Sequence, residues 1–317
     1  MIIRLIMSSL MSILVSASSL SADLFYGKSS CNFVQRWAFQ HLCDFAFDPR
    51  TVWPTDTTKL VTFNPHQVKA GDMVFVRDAP QFFKKMHEAI PVPYFIMTHG
   101  EYLDKFIPTY FNYLNDPKIL GWFTIHPCSE SHERVFALPL GIIQYKELYV
   151  DREAKSRQFE QLRNKEKKRL LYMNFTDWGN ARRKKIRQIF TGKPFCKAGS
   201  LAHFGPYITE LSNYKFVLSP PGLGPDCYRV WESLLMGTVP IVQHSPIDWL
   251  YEGLPVLFIN EWEEVTEEFL HKKYEEIRAK KYSCEKLYME YWIEKIDQIK
   301  KRCWDRFLLL KKESGKH

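Results

Sequence analysis

Short apolar runs recur along the first half of the chain, and segments with the three-to-four-residue spacing of helices lie between them. The runs predict strands at 60–63, 73–76, 94–98, 119–125 and 135–138. The intervening spacing predicts helices at 33–47, 81–89 and 103–114. Strands that alternate with helices favour a mostly parallel sheet covered on both faces. The first half is therefore predicted to form an α/β unit.

A charged segment at 151–168 with almost no large apolar residues predicts a solvated helix or an interdomain connector. The alternation then restarts, with strands expected at 170–175, 216–218, 239–242 and 256–259 and helices at 180–190, 207–213 and 228–236. From 266 to 310 the pattern is helical throughout, with one apolar stripe that predicts packing on the body of the protein. The expected domains are 23–165, 166–270 and a helical segment at 271–317.

The first 22 residues have the form of a signal peptide or a signal anchor. Arg4 precedes a weakly apolar run at 5–15, and small residues follow as far as 22. Such a leader predicts the lumen of the secretory pathway, Golgi or endoplasmic reticulum, or export. Membrane association through the N-terminus is the alternative.

The charge distribution argues against a nucleic-acid partner, and the cysteine spacing argues against a structural zinc site. The net charge is +8, and residues 271–317 hold fourteen Lys and Arg against eight Asp and Glu, so most of the excess lies in the tail. Because a nucleic-acid enzyme carries basic residues interleaved with aromatics along a groove, no nucleic-acid partner is expected. The seven cysteines include no C-x-x-C pair, so no structural zinc is expected. Cys31 and Cys43 could form a local disulfide, and buried thiols are the alternative.

The stretch 215–232 carries the candidate chemistry. A short strand enters a turn segment with three prolines and two glycines, and a helical pattern follows with Asp226 as its expected N-cap. A helix N-terminus behind such a loop can bind phosphate through free N–H groups and the helix dipole. Arg229 could add a charge-assisted contact, and Glu232 lies one turn further on. A simple ion pair between these two side chains is the structural alternative.

Several segments resemble the exostosin-type glycosyltransferases, family 47 and its relatives. They read FVLSPPG at 216–222, DCYRVWE at 226–232, GTVPIV at 237–242 and LYEGLPV at 250–256, with LLYMNF at 170–175 ahead of Arg182 and Arg183. The resemblance covers about 170–270 well and the first half loosely. It implies a GT-B fold, in which two Rossmann-like domains face a central cleft and the second domain holds a nucleotide-sugar donor. It also implies inverting transfer with no obligatory metal or other cofactor.

The resemblance also assigns donor-binding residues. It implies that Arg229 neutralises the donor diphosphate, that Glu232 holds the ribose, and that Arg182 or Arg183 supplies a second cation. The remaining donor-binding positions that it implies are Ser219, Pro220, Gly222 and Tyr228. No Asp-x-Asp triplet occurs in the chain, which agrees with stabilisation of the leaving group by cations and amides.

An inverting transfer needs a general base for the acceptor hydroxyl, and we expect it from the first half. The predicted strands at 73–76 and 94–98 end next to the ionisable residues Asp78, His99 and Glu101. His99 has the suitable intrinsic pKa, and the two carboxylates are the alternatives. His126, after a third strand, is a fourth candidate.

The sequence thus predicts an enzyme, an inverting hexosyl- or pentosyltransferase. Its donor would be a UDP-sugar rather than a GDP-sugar, and its acceptor a glycan or glycoprotein hydroxyl. The alternative is a catalytically inactive partner subunit of the same fold that binds glycan or nucleotide. A two-lobed solute-binding protein shares the leader and the paired α/β units, but it would not need the Arg229 and Glu232 pair.

Overall fold

The computed structural model describes residues 33–48, 63–100, 104–125, 127, 132–143, 159–177, 180–200 and 203–314. These residues form a mixed α/β structure with two five-stranded sheets in which every strand pairing is parallel. The predicted α/β class is confirmed at this level. The leader at 1–22, together with Cys31, Glu101 and His126, lies outside the described residues. No helix in the described ranges is both long enough and apolar enough to span a membrane.

The first sheet follows the order of the chain, β1-β2-β3-β4-β5. Its three central strands are buried along their whole length because helices cover both faces. Helix α2 and a long 3-10 segment pack on one face, while helix α1 and the helix Met289–Ser314, named α7, pack on the other. The strands are β1 Phe45–Phe47, β2 Met73–Val76, β3 Tyr94–Thr98, β4 Ile119–Thr124 and β5 Val135–Ala137, and the helices are α1 Arg36–Leu42, α2 Ala79–Lys85 and the 3-10 segment Asp104–Asn115.

The second sheet has the order β10-β9-β8-β6-β7. The chain leaves β6 for the edge strand β7 and then returns to the other side of β6 to form β8. This reversal creates a topological switch point between β6 and β8, and in open parallel sheets ligands bind outside the carboxyl ends of strands at such points. The strands are β6 Arg169–Met173, β7 Cys196–Ala198, β8 Tyr214–Leu218, β9 Val239–Gln243 and β10 Leu257–Ile259, and the helices are α3 Arg182–Phe190, α4 Phe204–Leu211, α5 Tyr228–Leu235, α6 Glu267–Arg278 and α7 Met289–Ser314.

Two sequence predictions of local structure are wrong, and one strand was missed. The predicted helix 33–47 is α1 followed by strand β1, because Phe45, Ala46 and Phe47 pair with β2. The segment 266–310, predicted to be helical throughout, contains two α-helices with an interruption between them. The residues between α6 and α7 contact the body through the N–H of Ser283, which donates to Gly253 O, and through the bridge of Tyr288 to Phe33. Strand β7 was not predicted, since its three residues contain no apolar run.

The two sheets share one hydrophobic core. Phe159, in the segment predicted to be a solvated connector, is 1% exposed and lies between the rings of Phe33 and Phe204 at 5.2 and 6.1 Å. Helix α7 then returns from the second half of the chain to pack on the first sheet, with Trp292 and Ile296 in the shared core. The two halves are therefore packed against each other in the described structure.

Candidate functional site

A cleft lies where the carboxyl ends of both sheets meet. It encloses a cavity of about 150 Å³. Residues that follow β3, β4 and β5 form one wall, and the loop after β8, the start of α5 and one arginine of α3 form the other. The lining residues are Gly100, Ile125 and Leu140 on the first wall and Arg183, Gly222, Leu223, Gly224, Asp226, Cys227 and Tyr228 on the second. Strand carboxyl ends are the usual place for a ligand in parallel sheets, so this cleft is the candidate site.

Asp226 connects the two walls. Its buried carboxylate accepts hydrogen bonds from the backbone N–H of Leu140 (2.8 Å) and Cys227 (2.8 Å), from Trp231 Nε1 (2.9 Å) and from Tyr251 Oη (2.7 Å). Burial raises the pKa of Asp226, and these donors oppose that shift. The prediction that Asp226 is the N-cap is wrong, because α5 begins at Tyr228 and its N-cap is Cys227. The Asp226 carboxylate instead links the two halves of the chain through its hydrogen bonds.

Arg183 shapes the loop after β8. Its guanidinium donates to the carbonyl oxygens of Pro220 (3.2 Å), Pro221 (2.9 Å) and Thr176 (3.2 Å). A Cβ at Gly222 would come within 3.2 Å of Arg183 Nη2, so glycine permits this close approach. Burial lowers the pKa of the Arg183 guanidinium. Of the two arginines that the resemblance singled out, Arg183 lines the cleft and Arg182 is exposed.

Arg229 is a cation with unpaired donors at this end of the second sheet. Its Nε and Nη1 atoms are buried and have no hydrogen-bond partner in the described structure. The guanidinium carbon lies 5.6 Å from the centre of the Phe175 ring, which follows β6. Arg229 therefore lies at the switch point between β6 and β8, where a ligand is expected.

Glu232 lies deeper, at the contact with the first half. It is 6% exposed, and its Oε1 accepts the backbone N–H of Ile143 at 3.4 Å. Burial raises the pKa of Glu232, while the Arg229 charge and the Ile143 N–H act in the opposite direction. The structure thus brings Glu232 near Arg229 but does not place it on the cavity wall.

A further polar group has no partner in the described residues. Ser219 Oγ, directly after β8, is buried without a hydrogen bond, and the residue is 2% exposed. Tyr207 on α4 lies beside Glu232, and burial, assisted by the Glu232 charge, raises the pKa of Tyr207 well above the ordinary value. Buried polar groups are nearly always paired in proteins. Unpaired donors on Ser219 and Arg229 therefore indicate a place for a polar, anionic ligand.

Two of the first-half base candidates, His99 and Asp78, make hydrogen bonds within the fold. His99 is fully buried, its ring lies 5.3 Å from that of Phe39, and its Nε2 lies 3.0 Å from Pro139 O, so Nε2 carries the proton of that hydrogen bond. Asp78 is the N-cap of α2 and accepts from Gln81 N (3.2 Å) and Gln81 Nε2 (3.0 Å). The identity of a base therefore stays a prediction.

Sequence reasoning missed Arg77. It directly follows the fully buried strand β2, and its Nε is buried without a hydrogen-bond partner in the described structure. The side chain lies against Gly100 on the cavity wall, where an added Cβ would come within 2.8 Å of Arg77 Nε. The signal was present, since Arg77 precedes Asp78 at the same strand end. The first half thus adds a cation next to the cleft.

No group of three or more His, Cys, Asp or Glu side chains within the described ranges is arranged to hold a metal ion. No family model matches the chain, and no curated protein matches it. The resemblance to the exostosin-type enzymes therefore stays a prediction.

Proposed function

We propose that the protein is an inverting glycosyltransferase of the GT-B type. It would transfer a sugar from a nucleotide-sugar, a UDP-sugar in the first instance, to a hydroxyl of a glycan or glycoprotein. Three features support the proposal: two parallel sheets whose carboxyl ends meet at one cleft, a switch point in the second sheet, and cations beside that switch point. The sequence resemblance over 170–270 supplies the reaction class.

In the proposed sugar transfer, cations of the second half stabilise the departing diphosphate. The acceptor oxygen attacks the anomeric carbon, the bond from that carbon to the diphosphate oxygen breaks, and the acceptor proton passes to a base on the side of the first half. Negative charge that develops on the departing diphosphate would be stabilised by Arg229, by Arg183 and by the N-terminal end of α5. In this arrangement the Glu232 charge stabilises the Arg229 guanidinium, and the ribose contact that the resemblance assigns to Glu232 stays a prediction.

The proposal rests on the guanidinium of Arg229, whose buried Nε and Nη1 atoms have no hydrogen-bond partner in the described structure. Leaving guanidinium donors unsatisfied costs free energy, and a ligand anion at the switch point would recover it. Arg182, which belongs to the same predicted pair of cations as Arg183 but is exposed, provides a matched control in the same half of the chain.

The test is binding of nucleoside diphosphates and release of diphosphate from a panel of nucleotide-sugars, each with and without EDTA. Arg229→Gln should weaken diphosphate binding by about ten- to a hundredfold, the range expected for a hydrogen bond to a charged group. Arg182→Gln should bind as wild type does. Equal affinities of wild type and Arg229→Gln would remove the proposal.

The same panel separates the alternative functions. Binding without turnover would favour the inactive partner subunit. Binding of free sugar but no nucleotide would favour a solute-binding protein.

A further inference from the structure

The carboxyl-terminal end of α7 carries an apolar surface that the rest of the described structure does not bury. Leu308, Leu309 and Leu310 are 40%, 60% and 52% exposed, and Trp249 is the other exposed large hydrophobic residue in the described ranges. Successive helix residues point about 100° apart, so three in a row cover more than half of the helix circumference. A helix packed on its own protein buries one stripe, so this end of α7 projects from the body.

The preceding turns of α7 are packed in the ordinary way. Cys303, Trp304 and Phe307 are half-buried against the core, and Trp304 approaches Gly71 in the loop before β2. The exposed surface begins at Leu308, immediately after this stripe. The leucines are thus a separate feature and not the margin of the packed face.

Basic residues precede and follow the exposed leucines along α7. Between 300 and 313 there are six Lys or Arg and two Asp or Glu. Only one of the basic side chains, Arg306, forms an ion pair in the described structure, with Glu133 at 2.5 Å. The basic residues are Lys300, Lys301, Arg302, Arg306, Lys311 and Lys312, and the acidic ones are Asp305 and Glu313. An apolar helical surface flanked by Lys and Arg is typical of helices that bind anionic lipid headgroups.

The placement of this surface leaves the cleft accessible. Arg306 contacts Glu133 just before β5, and Lys300 lies over Phe95 near the start of β3, so this part of α7 lies at the amino edge of the first sheet. The cleft lies at the carboxyl edge. A second copy of the chain would place like charges against each other at this surface, whereas an anionic bilayer complements them.

We propose that the end of α7, residues 305–314, docks the protein on an anionic lipid surface with the cleft facing away from the bilayer. The leucines enter the headgroup boundary, and the flanking Lys and Arg contact the anionic headgroups. This surface is remote from the residues that carry the proposed reaction, so the inference stands whether or not the protein transfers sugars.

The test is hydrogen exchange of the full chain with vesicles of phosphatidylserine and phosphatidylcholine at 30:70, and with phosphatidylcholine alone. Amide protection at 305–314 should appear with the anionic vesicles and not with phosphatidylcholine, and 0.5 M salt should reduce it. Reading protection at α7 itself separates this contact from any contribution of residues 1–22.

Variants sharpen the test. Leu308→Ser with Leu309→Ser should weaken the vesicle-induced protection by about tenfold in lipid concentration, because buried apolar groups are lost. Trp249→Ser, an exposed apolar side chain away from α7, should behave as wild type. Absence of protection with anionic vesicles, or an unchanged double variant, would overturn the proposal. So would protection that rises with protein concentration and needs no lipid, since that identifies a second copy as the occupant.

Discussion

Ionisable and polar groups at the strand ends are used differently in the two sheets. In the first sheet, Asp78 caps α2 and His99 donates to Pro139 O, so these groups are committed to the fold. In the second sheet, Ser219 and Arg229 have buried polar atoms with no partner in the described structure. Polar groups at the strand ends of the second sheet thus remain available to bind a ligand, whereas Asp78 and His99 in the first sheet stabilise the fold.

Strand order explains the difference. In the first sheet each strand lies beside its successor, so every connection runs in the same direction and no crevice forms between diverging connections. In the second sheet the connections after β6 and β8 diverge, which leaves room at the strand ends for Arg229 and Ser219. Arg77 is an exception on the first sheet, and it lies beside the cleft.

The largest expected effect concerns the connection between the halves. Asp226→Asn replaces one carboxylate oxygen with an amide N–H that faces donors, so about two hydrogen bonds to a charged group are lost and we expect a loss of about 3 to 5 kcal/mol in the free energy of unfolding. Denaturant titration measures it. Asp177→Asn removes an ion pair with Arg187 in which Asp177 is 47% exposed, and it should cost no more than about 1 kcal/mol. A loss below about 1 kcal/mol for Asp226→Asn would show that the carboxylate does not hold the halves together.

A smaller effect tests the difference between polar groups that have hydrogen-bond partners in the fold and those that have none. Ser219→Ala removes a hydroxyl with no described partner, so stability should stay the same or rise, while nucleoside diphosphate affinity should fall by about five- to tenfold, the value of one hydrogen bond. Calorimetric titration and denaturant unfolding on the same sample give both numbers.

Asp78→Ala is the matched change in the first sheet, and it should give the reverse pattern. Loss of the N-cap should cost about 1 kcal/mol of stability with diphosphate affinity unchanged. If both variants lose stability and neither loses affinity, the two sheets do not differ in the way described.

The smallest expected effect concerns Lys167, a cation of the second half that is hydrogen-bonded within the fold. Lys167 Nζ donates to the carbonyl oxygens of Leu162, Arg163 and Met236, and burial lowers the pKa of Lys167 from 10.5 to about 8. Between these values the unfolded chain holds a proton that the folded chain has released, so stability rises with pH across this window. Lys167→Met should reduce that rise by less than about 1 kcal/mol, since the side chain is partly exposed. Urea unfolding at pH 7.5 to 10 compares the slopes, and equal slopes would contradict the assignment.

The sequence predicted the regular elements better than their arrangement. Strands β2 and β3 were predicted at their observed bounds, because continuous apolar runs between turns leave little choice of conformation. Strand β1 was read as helix because three apolar residues carry no period of their own, and pairing with β2 decided the outcome. The order of the sheets depends on contacts between distant residues, which no local pattern contains.

The site was predictable only where one segment contains it. The loop after β8 and Arg229 follow from local residues, and the structure places them at the switch point. The role of Asp226 was missed because two of its donors, Leu140 N–H and Tyr251 Oη, lie far away in the chain. His99 was selected for its intrinsic pKa, but its burial and its contact with Pro139 O depend on the folded core.

The return of α7 to the first sheet has a consequence for how the protein is made. Phe75, Phe95 and Phe123 belong to the core that Trp292 and Ile296 of α7 complete. A ribosome synthesises those phenylalanines long before it reaches residue 289, so one face of the first sheet stays without α7 until residues 289–314 have emerged. Folding of the first half is therefore completed only after α7 has been translated, and a premature stop near residue 288 would damage the first sheet although that sheet ends at residue 137.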